Sequence, residues 1–169
     1  MSYQSTRTIF YVIILILSLL HVLLSFFTIA DYTSNKQVVI YVYNIPTGLI
    51  SLGQFIFICV LLGFNNRPNS THRLATSRSH FISAIVFSFL WLGCGILMSI
   101  ISWVATSDKS VFSSETRSVR IVILIFQTIF EFMMYIISVT LIVLIYEKSK
   151  ANVYGLQGNI AYKPKEDMA

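Results

Sequence analysis

The chain has 169 residues and a formal net charge of +5, yet only 11% of its residues are charged, 56% are hydrophobic and the mean hydropathy is +0.75. A water-soluble domain has roughly a quarter of its residues charged, so the deficit excludes an ordinary soluble fold and assigns much of the surface to lipid. The twelve Lys and Arg are scattered over short connections and a tail, with no run of bases interleaved with aromatics, which reads as membrane topology and not as a nucleic-acid surface.

Four apolar runs follow in chain order: residues 9–30, 38–64, 81–105 and 119–146. Each reaches the about 20 residues that a helix needs to cross a hydrocarbon core about 30 Å thick. The first ends on Thr28-Ile29-Ala30, which resembles a signal-peptidase site. Its apolar stretch from Ile9 to Phe27 is longer than the about 7–15 residues of a signal peptide, so it is expected to remain as an anchor. Connections at residues 31–37, 65–80 and 106–118 are too short for a folded outer domain, which makes consecutive helices antiparallel neighbours. The expected fold is an all-α membrane protein, an antiparallel four-helix transmembrane bundle. A short N-terminus (1–8) precedes it, and a polar tail (147–169) with Gly155, Gly158 and Pro164 is expected to be flexible.

Basic residues set the orientation. Arg7, then Arg67, Arg73 and Arg78, then Lys148, Lys150, Lys163 and Lys165 place eight on one side, against four on the other (Lys36, Lys109, Arg117, Arg120). The positive-inside rule then puts both termini in the cytosol, in a plasma or internal membrane. Tyr32, Tyr41, Tyr43, Trp103 and Tyr146 stand near run ends, as interfacial aromatics do. Against this orientation, Asn69-Ser70-Thr71 is a glycosylation sequon in a connection read as cytosolic. Tyr154 and Tyr162 are candidate modification positions in the tail. His72 and His80 are expected to be solvated or to face headgroups.

Polar residues inside the runs are the informative ones, because each must find a partner in the bundle or cost free energy in lipid. Ser18, His21, Ser25 and Thr28 recur at spacings of three and four in the first run; Asn44, Thr47 or Gly48, Ser51 and Gln54 do so in the second. The third carries a small-residue face, Ala84, Ser88, Gly95, Ser99 and Ser102, which allows close backbone approach. The fourth carries Gln127, Glu131, Tyr135 and Ser138 along one side. The plainest role for all four stripes is bundle packing, and Pro46 reads as a tolerated bend.

Glu131 stands apart, since a carboxylate at the bilayer centre costs about 2.5–3.5 kcal/mol even on insertion scales. It must be protonated, paired or wet. His21 is at similar depth in the first run, which predicts a hydrogen bond or ion pair between them, with Gln54 and Gln127 as alternative partners. No Cys-x-x-Cys pair, His-Glu-x-x-His motif or recognisable Ser-His-Asp context is present, and Cys59 and Cys94 both fall inside apolar runs. Neither an enzyme nor a cofactor or metal site is expected.

Two segments, Phe89-Leu90-Trp91-Leu92-Gly93 and Phe130-Glu131-Phe132-Met133-Met134-Tyr135, resemble the aromatic-rich segments of MARVEL-domain proteins, particularly the small fungal ones. The similarity covers roughly residues 6–146 and includes the early Arg7 and the short connections. The chain departs from that pattern at Tyr135, where a tryptophan is often found, and at Glu131. A tetraspanin would need a long third connection with Cys-Cys-Gly, and a claudin a long first one with paired cysteines. What the resemblance implies is a membrane-organising or trafficking role through lateral contacts with lipid, other membrane proteins or further copies of the chain. The rival readings are a small transporter or channel subunit centred on Glu131 and His21, and an accessory subunit of a larger membrane complex.

Overall fold

The computed structural model describes residues 3–30, 38–65, 72–107, 117–150 and 155–158. It is an all-α multi-pass membrane protein with four helices long and apolar enough to cross a bilayer: α1 (Tyr3–Ala30), α2 (Val38–Asn65), α3 (Ser77–Ser107) and α4 (Arg117–Lys150). Two 3₁₀ turns, Arg73–Ala75 and Gly155–Gln157, flank the last two helices at one end of the bundle. Hydrocarbon offers the backbone no hydrogen-bond partner, so an apolar run that enters it closes its own bonds as helix. The helices extend beyond the apolar runs at most ends; α4, with 34 residues, is about 51 Å long at 1.5 Å per residue.

Buried positions repeat with a period of 3.5 residues. They run Arg7, Tyr11, Ile14, Ser18, His21 and Ser25 on α1, then Ile40, Asn44, Thr47, Ser51, Gln54, Ile58 and Leu61 on α2. On α4 they are Leu124, Gln127, Glu131, Met134, Ser138, Leu141 and Ile145. Alternating steps of three and four keep a seam facing the same neighbour when helices cross at about 20°, the shallow left-handed packing of four-helix bundles.

The chain is wired as two antiparallel hairpins. α1 lies along α2 and α3 along α4; the hairpins join chiefly through α1 against α4, while among neighbouring helices the backbones of α2 and α3 approach least. Register shows in the pairs: Ser18 with Gln54, His21 with Ser51 and Ser25 with Gly48 across the first hairpin, and Phe81 with Tyr146, Gly95 with Phe132 and Ser102 with Thr128 across the second. Gly95 lets Phe132 approach closely: an added Cβ would lie 3.2 Å from the ring, which would have to give by a few tenths of an ångström. Along the wider α2/α3 seam, large side chains bridge the gap: Tyr43 reaches the Cys94 carbonyl, Trp91 reaches Gln54, and Phe57 meets Phe87 at a ring separation of 6.0 Å.

Pro46 lies inside α2 and the helix continues through it. Its missing N–H weakens one turn, and side chains on that turn add bonds of their own: Asn44 Nδ2 donates to the Ile40 carbonyl (2.8 Å) and Thr47 Oγ1 to the Tyr43 carbonyl (3.0 Å).

The tail is not featureless where it is described. Gly155 takes a φ of 52°, a left-handed conformation that glycine adopts without steric cost. The turn it starts brings the Gly158 carbonyl to the Ser77 N–H (3.0 Å), so the chain beyond α4 closes the first turn of α3. The Asn69 sequon, Tyr32, Lys36, Arg67, Lys109, Tyr154, Tyr162, Lys163, Pro164 and Lys165 lie outside the described residues.

Candidate functional site

All four helices deliver a side chain or a carbonyl to one point near mid-bundle. His21 of α1 and Glu131 of α4 meet with Nε2 and Oε1 3.0 Å apart, both fully buried. From α2, the Tyr43 hydroxyl lies 3.0 Å from the same Oε1 and 2.7 Å from the Cys94 carbonyl of α3. Ser51 Oγ is 2.8 Å from His21 Nδ1, with Ser25 Oγ farther at 3.4 Å. Trp91 closes one side, its ring edge-on to the imidazole with centroids 5.2 Å apart.

Gln54 and Gln127, the alternative partners for Glu131, are engaged elsewhere. One helical turn towards the tail end, Gln54 Oε1 accepts from Trp91 Nε1 (2.7 Å) and Ser18 Oγ (3.3 Å). Because an indole N–H only donates, the Gln54 amide orientation is fixed. Towards the opposite end, Gln127 Nε2 donates to Asn44 Oδ1 (2.7 Å). Tyr135 is half-buried and packs beside Leu17, Trp91, Cys94 and Met134.

The small face of α3 divides in two. Ala84, Ser88 and Gly95 are buried, whereas Ser99 and Ser102 are half-exposed. Ser88 and Ser99 donate back to their own helix, and Ser102 reaches Thr128 of α4 at 3.3 Å.

Three residues take places that differ from those expected. His80 is buried in α3, its Nε2 donating to the Leu74 carbonyl (2.8 Å) and its Nδ1 accepting from the Tyr11 hydroxyl. A solvated or headgroup-facing role is therefore corrected, although His72 is exposed and stacks on Phe64. Tyr43 is not an interfacial anchor but a donor to the central acid. Arg7, expected ahead of the first span, is fully buried within α1. Periodicity carried the signal in each case: His80 stands one turn before Ala84, Tyr43 one turn before Thr47, and Arg7 two heptads before His21.

Ser51, His21 and Glu131 stand in the order hydroxyl, imidazole, carboxylate that nucleophilic hydrolases use. The surroundings oppose that chemistry. All three are sealed inside the bundle, and Ser51 is mid-helix, where the neighbouring N–H groups are committed to the helix and cannot form an oxyanion hole. What the arrangement does is hold an ionisable pair fully buried, with few side-chain donors. Nearby spaces are small: a void of about 10 Å³ between Gln54, Ser138, Tyr11 and His80, and a shallow lipid-side cleft of about 160 Å³ over Ser25, Asn44 and Gly48.

Comparison of the chain with protein-family models, curated proteins and solved structures found no match.

Proposed function

We propose that this multi-pass membrane protein is a non-enzymatic organiser that acts through lateral contacts, with both termini in the cytosol. One observation carries the reading: the ionisable and amide side chains His21, Asn44, Gln54, Gln127 and Glu131 are buried and bonded to other side chains, while the outer faces are mainly apolar and aromatic. Phe89 and Trp103, 71% and 74% exposed, lead a surface that includes Phe26, Phe27 and Phe126. Such a surface packs against lipid tails and other transmembrane helices through van der Waals contact and lipid entropy. The resemblance to MARVEL-domain segments points the same way, and the excess of basic residues on the tail side supports the orientation.

The test is reconstitution at low protein-to-lipid ratio with donor- and acceptor-labelled copies, alone and with detergent-solubilised native membrane proteins added before vesicle formation. Energy transfer or stoichiometric co-reconstitution above that of an unrelated four-helix protein is expected; random mixing in both arms overturns the reading.

A second reading rests on the His21–Glu131 pair, since an ionisable group within the bilayer is a functional candidate by default. It makes the protein a small proton-linked transporter or channel subunit. Collapse of a pH gradient across proteoliposomes that Glu131→Gln abolishes would establish that reading in place of the first. Glycosylation at Asn69 in microsomes would reverse the orientation.

A further inference from the structure

Around Glu131 donors are short: of the buried polar atoms without a partner among the described residues, Glu131 Oε2 and Gln127 Oε1 are acceptors, whereas the bare donor Gln54 Nε2 belongs to the turn nearer the tail end. Glu131 Oε1 has two neighbours that can donate, His21 Nε2 and Tyr43 Oη, and the single Tyr43 proton is shared with the closer Cys94 carbonyl. Glu131 Oε2 is buried and has no partner. Neither has Gln127 Oε1, also buried. The Gln127 amide cannot be turned round to cure this. Asn44 Nδ2 donates to the Ile40 carbonyl, which fixes Asn44 Oδ1 as the acceptor of Gln127 Nε2 and leaves Gln127 Oε1 as the bare atom.

Glu131 and Gln127 are four residues apart on the buried face of α4. That spacing makes their side chains neighbours, with Cβ atoms about 5–6 Å apart. Two acceptors without donors among the described residues, one turn apart and on fully buried side chains, call for one hydrogen between them. Placing the extra proton on His21 does not supply it: the imidazolium would add a donor only at Nδ1, where the Ser51 hydroxyl can already donate. A proton on Oε2 fills both places at once. It also removes the cost of holding two formal charges out of water.

We propose that Glu131 is a proton-binding site, a neutral carboxylic acid whose Oε2–H donates to Gln127 Oε1 while neutral His21 donates from Nε2 to Oε1 and accepts at Nδ1 from Ser51. The titratable groups facing it are His21 from α1, Tyr43 from α2 and Cys94 from α3; on its own helix the neighbour is the uncharged Gln127. Proton loss would leave Oε2 and Gln127 Oε1 as opposed acceptors, so the site couples one proton to the fit of α4 against α2. This goes beyond the organising role and does not depend on it.

Infrared difference spectroscopy of the full chain in hydrated bilayers at neutral pH tests the site. A carboxylic-acid C=O stretching band is expected that shifts on deuteration and on ¹³C-glutamate labelling, is lost in Glu131→Gln, and moves to higher frequency in Gln127→Leu. Glutamine keeps a donor where Oε2–H stood, so Glu131→Gln should melt with the wild type while Glu131→Ala melts well below it. Absence of a ¹³C-sensitive acid band in the wild-type protein overturns the proposal, whatever the variants do; so does a Glu131→Gln protein that melts with Glu131→Ala.

Discussion

The two halves of the bundle are held by different physics. Towards the end that carries the N-terminus and tail, the core is mainly apolar: Tyr11, Ile14, Ile58, Leu61, Leu141 and Ile145 pack together, with Leu74 and Leu156 from the flanking turns against them and Arg7 and His80 as buried polar neighbours. From mid-bundle towards the other end, the seam is polar, with His21, Ser51, Glu131, Tyr43, Asn44 and Gln127 joined by hydrogen bonds and Ile40, Met98, Ala105 and Leu124 closing the far end. In water the apolar half would dominate stability. In lipid, a leucine loses little by facing tails instead of neighbours, so the apolar half depends on shape, whereas the polar half forbids separation because each bare group would enter hydrocarbon.

The largest effect is expected from Glu131→Ala, which leaves the buried His21 Nε2–H without its acceptor while Tyr43 keeps the Cys94 carbonyl. Unfolding in mixed micelles should show a loss of about 3 kcal/mol, the upper range for a buried polar group left unsatisfied; a loss no greater than that of an apolar truncation would erase the contrast. Leu141→Ala in the apolar half should lose about 2 kcal/mol by the same measurement, the low end of core truncations, since lipid partly replaces the lost contacts. Gly95→Val tests shape alone. Its side chain must displace the Phe132 ring, which should lower stability by about 1–2 kcal/mol and loosen α3 from α4, detectable as faster amide exchange in both helices. Phe89→Ala, on the outer face, should change intrinsic stability by less than about 0.5 kcal/mol. If Phe89 contributes to lateral association, the same variant lowers energy transfer between labelled copies.

Much of this arrangement is legible in the sequence, because lipid enforces simple rules. Run length identifies the helices, and the spacing of Ser18, His21, Gln54, Gln127 and Glu131 marks the faces that turn inward. What spacing alone does not give is the partner, since a stripe says which way a helix faces but not which neighbour lies there or at what depth. Gln54 and Gln127 were as plausible for Glu131 as His21 until register placed them a turn away on either side. Tyr43 and His80 were misjudged for a related reason: both lie near the ends of apolar runs, where aromatic and basic residues commonly meet headgroups, and only the third dimension shows them bent into the seam. Arg7 illustrates the same limit, because a cation at a helix start reads as topology whether or not it is buried.

The hairpin wiring has a consequence for how the protein is made. His21 finds Ser51 and Ser25 within the first hairpin, so that unit can enter the bilayer with its imidazole already engaged. Glu131 is different, for its two side-chain partners, His21 and Tyr43, both belong to the first hairpin. The second hairpin therefore holds by itself only the Oε2 side of its acid, beside Gln127, and docking against the first is what answers Oε1. A chain whose halves fail to dock would leave Glu131 Oε1 and the His21 Nε2–H without each other inside the membrane.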